Sequence, residues 1–439
     1  MSRNVFMSVL GTNCYQKCNY YYQNENNIIE NVHFVQEASI QLFNIEWQEQ
    51  DKIYILLTND ANELNWKDNG QLSNKKCINP YEEGLETRLN NLKIKASIDG
   101  IPIKNGNNEE EIWSQFQVIY ELLNENDNLY FDITHSFRSI PMLLMVLLNY
   151  GKFLKKINVK AITYGNFEGR NKQNNNSEII DLTSFSLLQD WTSAANEFIY
   201  FGSVKKISSL SLQEIKPLLI ESKGSDENLN SLRKLNTLLP KFVSNIQTNR
   251  GVYIVENTEG KSIVELLNQI KGITIKPLIP LLEVISKKMD DFSSENDIRN
   301  GIKAVRWCLD HGLTQQGITI LKETITSFVC SEMGLDHKVE LNRNIVDKCF
   351  FVTSNNVKEN DWDQYLKNNS TIAKKIIESS NLLKILQEEF TTISMIRNDI
   401  NHAGFKESFI TKPDVFTKKL KDILEKVSSK VLNHAHQPI

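Results

Sequence analysis

Short apolar runs alternate with amphipathic segments through the first part of the chain. The runs cover residues 5–10, 52–57, 93–98, 129–133 and 159–164, and segments with helical spacing lie between them at 28–43, 81–92, 109–123 and 140–154. Short strands separated by helices of this kind are typical of βαβ units. The pattern predicts an α/β Rossmann-like N-terminal domain with a parallel sheet over residues 1–185.

Helical spacing dominates the remainder of the chain. We expect a mostly helical connecting region at residues 186–290, with one strand-like segment at 251–255, and an all-α domain at residues 291–439. The amphipathic segments of that last domain cover residues 291–312, 314–334, 370–390, 392–403 and 413–432. The polar run at residues 171–176 predicts a hairpin tip or an exposed turn.

Composition narrows the class of protein. The chain has 439 residues, enough for two or three domains of about 100–200 residues each. Its formal net charge of −4 excludes a strongly basic nucleic-acid coat, so any contact with RNA must come from a local patch. The longest apolar run, residues 141–148, is shorter than the roughly 18 residues of a membrane span. We expect a cytoplasmic protein with no membrane segment.

Six cysteines are scattered along the chain, and no second close pair completes a zinc site with Cys14 and Cys18. The remaining four are Cys77, Cys308, Cys330 and Cys349. Scattered cysteines in a chain of this length are typical of reduced thiols. The sequence therefore predicts six free thiols and no bound metal.

Polar side chains follow several of the predicted strands. Ligands of an open parallel sheet bind beyond the carboxyl ends of its strands. Free backbone N–H groups, a helix N-terminus and Arg138 would favour an anion there, and phosphate is the obvious one. The candidates from these loops are Gly11, Thr12, Asn13, Thr58, Asn59, Asp132, Thr134, His135, Ser136, Phe137 and Arg138.

The alternative for each of these residues is a structural one. Gly11 can be a turn glycine, Asp132 a satisfied strand residue and His135 a loop histidine without a ligand. The chain lacks both the G-x-G-x-x-G motif of dinucleotide sites and the phosphate-binding loop of nucleotide triphosphatases. A dinucleotide cofactor is therefore not expected.

The segment DITHSFRSIP at residues 132–141 resembles the Asp-x-Thr-His-Gly-Phe-Arg-Ser signature of CRISPR-associated proteins with a CARF sensor domain. Residues 10–12, 163–168, 181–183 and 190–191 are similar to further blocks of that family. The resemblance adds Tyr164 and Gly165 to the ligand-binding candidates. Ser136 stands at the position where the family has glycine. This departure leaves open which size of cyclic nucleotide the domain would prefer.

An arginine and a histidine five positions apart occur twice, as Arg306/His311 and Arg397/His402. Imidazole suits a proton shuttle near neutral pH, and guanidinium suits the charge that develops on phosphorus. The residues between the first pair are apolar, which indicates core packing. Those between the second pair are polar and precede Gly404, so they form either a hydrated helix end or a functional site.

The RNDINH segment at residues 397–402 resembles the Arg-polar-x-x-x-His motif of HEPN ribonucleases, and residues 315–323 are similar to an earlier helix of that domain. By similarity Arg397 and His402 are catalytic and Asn398 assists them. A sensor followed by this motif resembles the type III CRISPR ancillary ribonucleases. The resemblance implies a homodimer or higher oligomer that cleaves single-stranded RNA without a metal or other cofactor when a cyclic oligoadenylate binds. Tetra-adenylate is favoured as the activator, and hexa-adenylate is the alternative.

Two other functions stay open from the sequence. One is a nucleotide-sensing binding protein or transcription regulator without nuclease activity, whose only candidate recognition helix lies in the Lys-rich residues 412–430. The other is an unregulated HEPN toxin in which the first domain serves only for dimerisation. The base preference toward RNA, and degradation of the activator by the sensor domain, do not follow from the sequence.

Overall fold

The computed structural model divides the chain into two compact units, Met1–Gln189 and Asp190–Ile439. The structure describes residues 2–135, 140–270, 279–379, 381–405 and 407–434. Across these ranges, no helix combines the length and the apolar character needed to span a bilayer.

The first unit contains an eight-stranded sheet in the order β3-β2-β8-β7-β6-β1-β4-β5. The strands are β1 (Asn4–Val9), β2 (Cys18–Tyr22), β3 (Ile28–Val32), β4 (Lys52–Leu57), β5 (Ser97–Pro102), β6 (Asn128–Asp132), β7 (Asn158–Gly165) and β8 (Asn176–Asp181). Strands β7, β6, β1, β4 and β5 are parallel, whereas β2/β3 and β7/β8 are antiparallel. The predicted α/β class is confirmed, but the sheet is mixed rather than purely parallel.

Apolar side chains on both faces of β1 explain why the sheet carries helices on both faces. Val5, Met7 and Val9 enter one buried cluster, and Phe6 enters another. Successive side chains of a strand point to opposite faces, so a strand with buried apolar side chains on both faces must be covered on both sides. The covering helices are α1 (Val35–Leu42), α2 (Asn59–Ala61), α3 (Leu85–Asn91), α4 (Glu109–Leu122) and α5 (Ile140–Leu154).

Two sequence-based boundaries in this unit are wrong. The segment 28–43 was expected to be one helix, but its first residues form β3 in a hairpin with β2. Asn31 has a φ of 57° and His33 and Phe34 precede α1, so the strand cannot continue into the helix. The strand expected at 93–98 lies at β5 because Lys93, with a φ of 54°, ends the preceding turn. The hairpin tip at 171–176 is confirmed, since β7 and β8 pair as antiparallel neighbours.

The order of the strands reverses at β1. From β1 the sheet continues through β4 and β5 on one side and through β6 and β7 on the other. In such a sheet, the loops at the carboxyl ends diverge at this position and leave a crevice. The loops that begin at Leu10 and Ile133 lie at this point.

The second unit is helical throughout its described residues. After α6 (Thr183–Phe201), which begins in the first unit, it contains α7 (Lys205–Glu221), α8 (Glu227–Gln247), α9 (Gly251–Glu256), α10 (Thr258–Gln269), α11 (Ile279–Met289), α12 (Arg299–Asp310), α13 (Thr314–Glu332), α14 (Glu340–Ser354), α15 (Gln364–Asn368), α16 (Ser370–Glu378), α17 (Asn381–Asn401) and α18 (Asp414–His434). Helix α13 packs against α12, α14, α17 and α18.

Three expectations in this unit are wrong. The helix expected at 291–312 begins only at Arg299, as α12. The strand expected at 251–255 is the helix α9, whose β-branched residues include the buried Ile254 and Val255. The segments 370–390 and 392–403 are divided differently, into α16 and the longer α17. The helix expected at 314–334 is confirmed as α13.

Candidate functional site

A cavity of about 900 Å³ lies beyond the carboxyl ends of the strands in the first unit. Its walls come from the loop after β1, the end of β6, the end of β7 and a segment that follows α2. The predicted residues that line it are Thr12, Asn13, Thr134, His135, Tyr164 and Gly165. Its volume lies within the range of about 300–1,000 Å³ that is typical of small-molecule sites.

Asp132 lies beneath this cavity and does not line it. Its carboxylate is fully buried and accepts hydrogen bonds from Ser8 Oγ (2.6 Å), the backbone N–H of Thr134 (3.2 Å) and the Thr134 hydroxyl. The hydroxyl of Thr134 in turn accepts from the backbone N–H of Gly165 (2.8 Å). The Asp-x-Thr motif therefore ties the end of β6 to the end of β7.

Burial raises the pKa of Asp132 to about 6, although Ser8 and Thr134 lower it through their hydrogen bonds. A carboxylate without a cationic partner is costly in the interior, because desolvation disfavours the charged form. The role that this arrangement supports for Asp132 is to fix the loop, rather than to contact a ligand.

The ring of His135 packs against that of Tyr15 at an interplanar angle of 34°, with the ring centroids 4.3 Å apart. Burial lowers the pKa of His135 to about 4, so the imidazole is neutral near pH 7. Gly11 is required beside this pair because a Cβ there would lie 2.4 Å from the Tyr15 hydroxyl oxygen. Gly11 thus allows the two rings to reach the cavity wall and does not itself line it.

Asn65 is a buried residue next to the cavity that the sequence analysis missed. Its side-chain amide donates to the backbone oxygens of Gly11 (2.8 Å) and Asn13 (2.9 Å). Its own oxygen accepts from Gln71 (2.7 Å) and Tyr81 (2.6 Å). The buried amide thus forms four hydrogen bonds that tie the loop after β1 to Gln71 and Tyr81, and no local motif signals this.

A disulfide between Cys14 and Cys77 joins two walls of the cavity. The prediction of six free thiols is therefore wrong for this pair, while Cys18, Cys308, Cys330 and Cys349 are free and buried. The sequence separation of 63 residues hid the pairing, since spacing alone does not reveal which loops the sheet brings together.

The segment next to Cys77 brings positive charge to the cavity. Lys75 and Lys76 line it and are exposed, and Glu168 is the acidic residue among the lining residues. In the part of the chain that the structure describes, neither lysine forms an ion pair. The local field favours an anionic ligand even though the whole chain is weakly acidic.

Some predicted residues lie elsewhere. Thr58 is 2% exposed and caps α2, with its hydroxyl accepting from the N–H of Ala61 (3.3 Å). Asn59 is exposed in that helix and does not line the cavity. The predicted ligand residues Ser136, Phe137 and Arg138 lie outside the described residues.

In the second unit, Arg397 and Asn398 lie in the last turns of α17, and His402 follows its last residue, Asn401. Arg397 is half-buried and lines a second cavity, of about 390 Å³. Asn398 and His402 are exposed and do not line that cavity. Asp399, between them, is buried and accepts from the backbone N–H of Ile410 (2.7 Å), which holds the chain after the helix against it. Within one chain the arginine and the histidine therefore face different surroundings.

The core packing predicted for the first arginine–histidine pair is confirmed for the residues between them, whereas Arg306 itself is exposed. Trp307 and Cys308 are buried in the helical core. The ring nitrogens of His311 lie 2.7 Å from the backbone oxygen of Trp307 and 3.2 Å from that of Ile199. This histidine has no capacity left for a ligand.

A mostly parallel sheet with a polar cavity at its reversal point defines a ligand-binding domain of the Rossmann-like class. Residues 5–168 match the family described as "CRISPR system endoribonuclease Csx1, CARF domain". The chain is also similar to the CRISPR-associated protein MJ1674 of Methanocaldococcus jannaschii, with 28% identity over 284 residues. That alignment covers 62% of this chain and 41% of the relative, so the chain spans less than half of the relative's length. Residues 5–168 are therefore similar to a CARF domain, and the chain is similar to part of a CRISPR-associated protein.

Proposed function

We propose that this protein is an endoribonuclease of type III CRISPR defence, activated by a cyclic oligoadenylate and active on single-stranded RNA without a metal. The observation that carries the proposal is the cavity at the reversal point of the sheet, in a domain that matches the CARF family. Its volume of about 900 Å³ suits an oligonucleotide better than a single phosphate. Tetra-adenylate is the activator we favour, with hexa-adenylate as the alternative.

The cavity offers the groups that adenylate rings require. Tyr164 and the Tyr15–His135 pair supply flat rings at its wall for base stacking, which is how unpaired bases are commonly held. Lys75 and Lys76 supply positive charge for the phosphates. Thr12 and Asn13 add a hydroxyl and an amide for polar contacts.

The output site is the end of α17. The guanidinium of Arg397 would stabilise charge on the scissile phosphate, and the imidazole of His402 would move the proton between the 2′-oxygen and the leaving oxygen. Such cleavage breaks the P–O5′ bond and leaves a 2′,3′-cyclic phosphate. Asn398 lies exposed beside them, where its amide can hold the RNA.

A homodimer fits the surface properties of the chain. Near His402, Met395, Phe405 and Phe409 are exposed, with Phe405 at 92%. Along α5, Met142, Val146, Tyr150 and Phe153 are exposed on one face, with Phe153 at 83%. A second copy that covers these side chains would place two Arg397/His402 pairs around one cleft and two sensor cavities around one ring.

Activation then follows from population shift. A cyclic oligoadenylate that binds one arrangement of the dimer better than another favours that arrangement. A coupling free energy of about 1–3 kcal/mol would change the activity roughly 5–150-fold.

A regulator without nuclease activity is less well supported. Its candidate recognition helix, α18, buries Leu420, Ile423, Leu424, Val427 and Val431 against the helical core. Three of its lysines pair with acids: Lys418 with Asp414, Lys426 with Glu388 and Lys430 with Glu389. These three lysines form ion pairs within the protein and are therefore less available to contact DNA phosphates.

The catalytic assignment is tested with purified full-length protein, a fluorescent single-stranded RNA and saturating cyclic tetra-adenylate. His402→Ala should lower the rate of cleavage by at least about 100-fold, the lower end of general acid–base catalysis. Lys384→Ala, a charge loss at an exposed position of the same helix, is the matched control and should cleave normally. Undiminished cleavage by His402→Ala would reject this site.

A further inference from the structure

The second cavity, around Arg397, has chemistry that the proposed Arg397/His402 pair does not use. Helices α9, α13, α14 and α17 and the loop before α14 surround its volume of about 390 Å³. Its polar lining residues include Glu323, Ser327, His337, Lys338, Arg343 and Arg397. The volume lies at the lower end of the range of about 300–1,000 Å³ for ligand sites.

Nearly all charged side chains of this cavity form ion pairs with other side chains of the protein. Arg343 bonds to the Glu323 carboxylate (2.6 Å) and also donates to Ser327 Oγ (2.7 Å) and the backbone oxygen of His337 (2.9 Å). Lys338 pairs with Glu256 (2.7 Å). Among the described residues, Arg397 forms no ion pair, so the cavity retains one positive charge.

Glu323 does not neutralise that charge. Burial raises its pKa, but Lys322, Arg343 and Arg397 together hold the pKa below its usual value. The carboxylate is therefore ionised, and its direct ion-pair contacts are with Arg343 and Lys322 rather than with Arg397. We interpret the Glu323–Arg343 ion pair as a fixed part of the cavity wall that Arg397 also lines.

Two buried nitrogen atoms of the cavity residues lack hydrogen-bond partners. They are Nε of Arg397 and Nε2 of His337. A buried polar atom without a partner is costly, so native structures usually provide one. An oxyanion would accept from both nitrogens and would balance the guanidinium charge.

We propose that this cavity binds a phosphate group through Arg397 and His337, and that the phosphate belongs to the RNA substrate. The identity of the ligand rests on the proposed function, because only an RNA substrate brings a phosphate to Arg397 in that account. His337 is then a second imidazole at the nuclease site, supplied by the loop before α14 rather than by the α17 motif. Its contact would hold the RNA chain and position the scissile bond relative to His402.

The RNA arm of the test measures affinity for a 2′-O-methyl RNA, which cannot be cleaved, by fluorescence anisotropy with cyclic tetra-adenylate present. His337→Ala and Arg397→Ala should each weaken binding about tenfold, whereas Lys384→Ala should not. His337→Gln keeps an N–H donor near the Nε2 position and should retain most of the affinity, which separates a lost contact from a folding defect. Equal affinity of His337→Ala and the native protein would overturn the proposal.

A second arm uses inorganic phosphate alone. Phosphate should raise the midpoint of thermal unfolding of the native protein and of Lys384→Ala, but not of His337→Ala. Phosphate raises the unfolding midpoint in this way if the cavity binds it. If His337→Ala nevertheless binds RNA as tightly as the native protein, the site takes a free phosphate and the RNA assignment is wrong. Failure of the native protein to cleave ordinary RNA would reject the proposed function without changing the result of the phosphate arm.

Discussion

Thr134 joins two strand ends, because its hydroxyl donates to Asp132 and accepts from the backbone N–H of Gly165 at 2.8 Å. The motif that first suggested a ligand site therefore also builds the wall of that site. Ser8 donates to the other oxygen of the same carboxylate at 2.6 Å, so the ends of β1, β6 and β7 meet at one buried group.

Removal of this hydroxyl should loosen the sensor cavity. Thr134→Val leaves the Gly165 N–H without a partner and removes one of the two donors to a buried Asp132 oxygen, and we expect the free energy of unfolding to fall by about 1–3 kcal/mol. Urea unfolding measures the change. Thr134→Ser keeps the hydroxyl and serves as the control, so a serine variant as unstable as the valine variant would contradict this account.

Asp132 should give the stability a pH dependence. Burial raises its pKa in the folded protein to about 6, above the usual value of 3.8. The folded state thus binds this proton more tightly than the unfolded chain, and the contribution of Asp132 becomes less favourable as the pH rises from about 4 to about 6.

The comparison is between the native protein and Asp132→Asn, which cannot ionise. The stability of the variant relative to the native protein should increase by about 2 kcal/mol between about pH 4.5 and pH 7.5. Urea unfolding at both pH values gives this difference. A difference that stays constant, or that changes in the opposite direction, would show that Asp132 does not titrate as a buried group.

Lys75 and Lys76 should attract the phosphates of the activator. Both line the sensor cavity without an ion-pair partner among the described residues. Lys75→Ala combined with Lys76→Ala should weaken the binding of cyclic tetra-adenylate about tenfold and should reduce its dependence on salt, since exposed charges are screened. Calorimetric titration at two salt concentrations tests this, with Lys160→Ala, an exposed lysine of β7, as the matched control. An unchanged dissociation constant would place the phosphates elsewhere.

Reduction of the Cys14–Cys77 disulfide should destabilise the first unit. Cross-links over a separation of 63 residues stabilise proteins by about 4 kcal/mol, mainly because they restrict the unfolded chain. Urea unfolding with and without dithiothreitol should show this loss in the native protein. The variant with Ser at both positions should resemble the reduced protein and should not respond to dithiothreitol, so a response by that variant would point to another cause.

The sequence predicted the features that depend on local periodicity. The strands near residues 5–10, 52–57 and 129–133 and the helices α4, α5 and α13 are continuous apolar or amphipathic patterns, and they lie where they were expected. The β2/β3 hairpin was missed because the apolar residues 28 and 29 also fit the helical period of the segment that follows. The segment 251–255 is rich in β-branched residues, but packing of Ile254 and Val255 in the helical unit outweighs that preference.

In the candidate site, too, local sequence patterns revealed some residues, and only the fold brings the others together. Thr12, Asn13, Thr134 and His135 were found because a strand precedes each loop. Asn65, Lys75 and His337 were missed since their importance arises from contacts between segments that are distant along the chain. The Cys14–Cys77 pair has the same origin.

The most direct test of the central claim is RNA cleavage by the native full-length protein with and without cyclic tetra-adenylate. A fluorescent single-stranded RNA, without added metal and with excess chelator, is followed over time, and cyclic hexa-adenylate and linear tetra-adenylate are run in parallel. The account predicts that one cyclic adenylate raises the rate at least about fivefold and that the products end in 2′,3′-cyclic phosphates. Equal rates with every adenylate present or absent, or no cleavage under any condition, would contradict it.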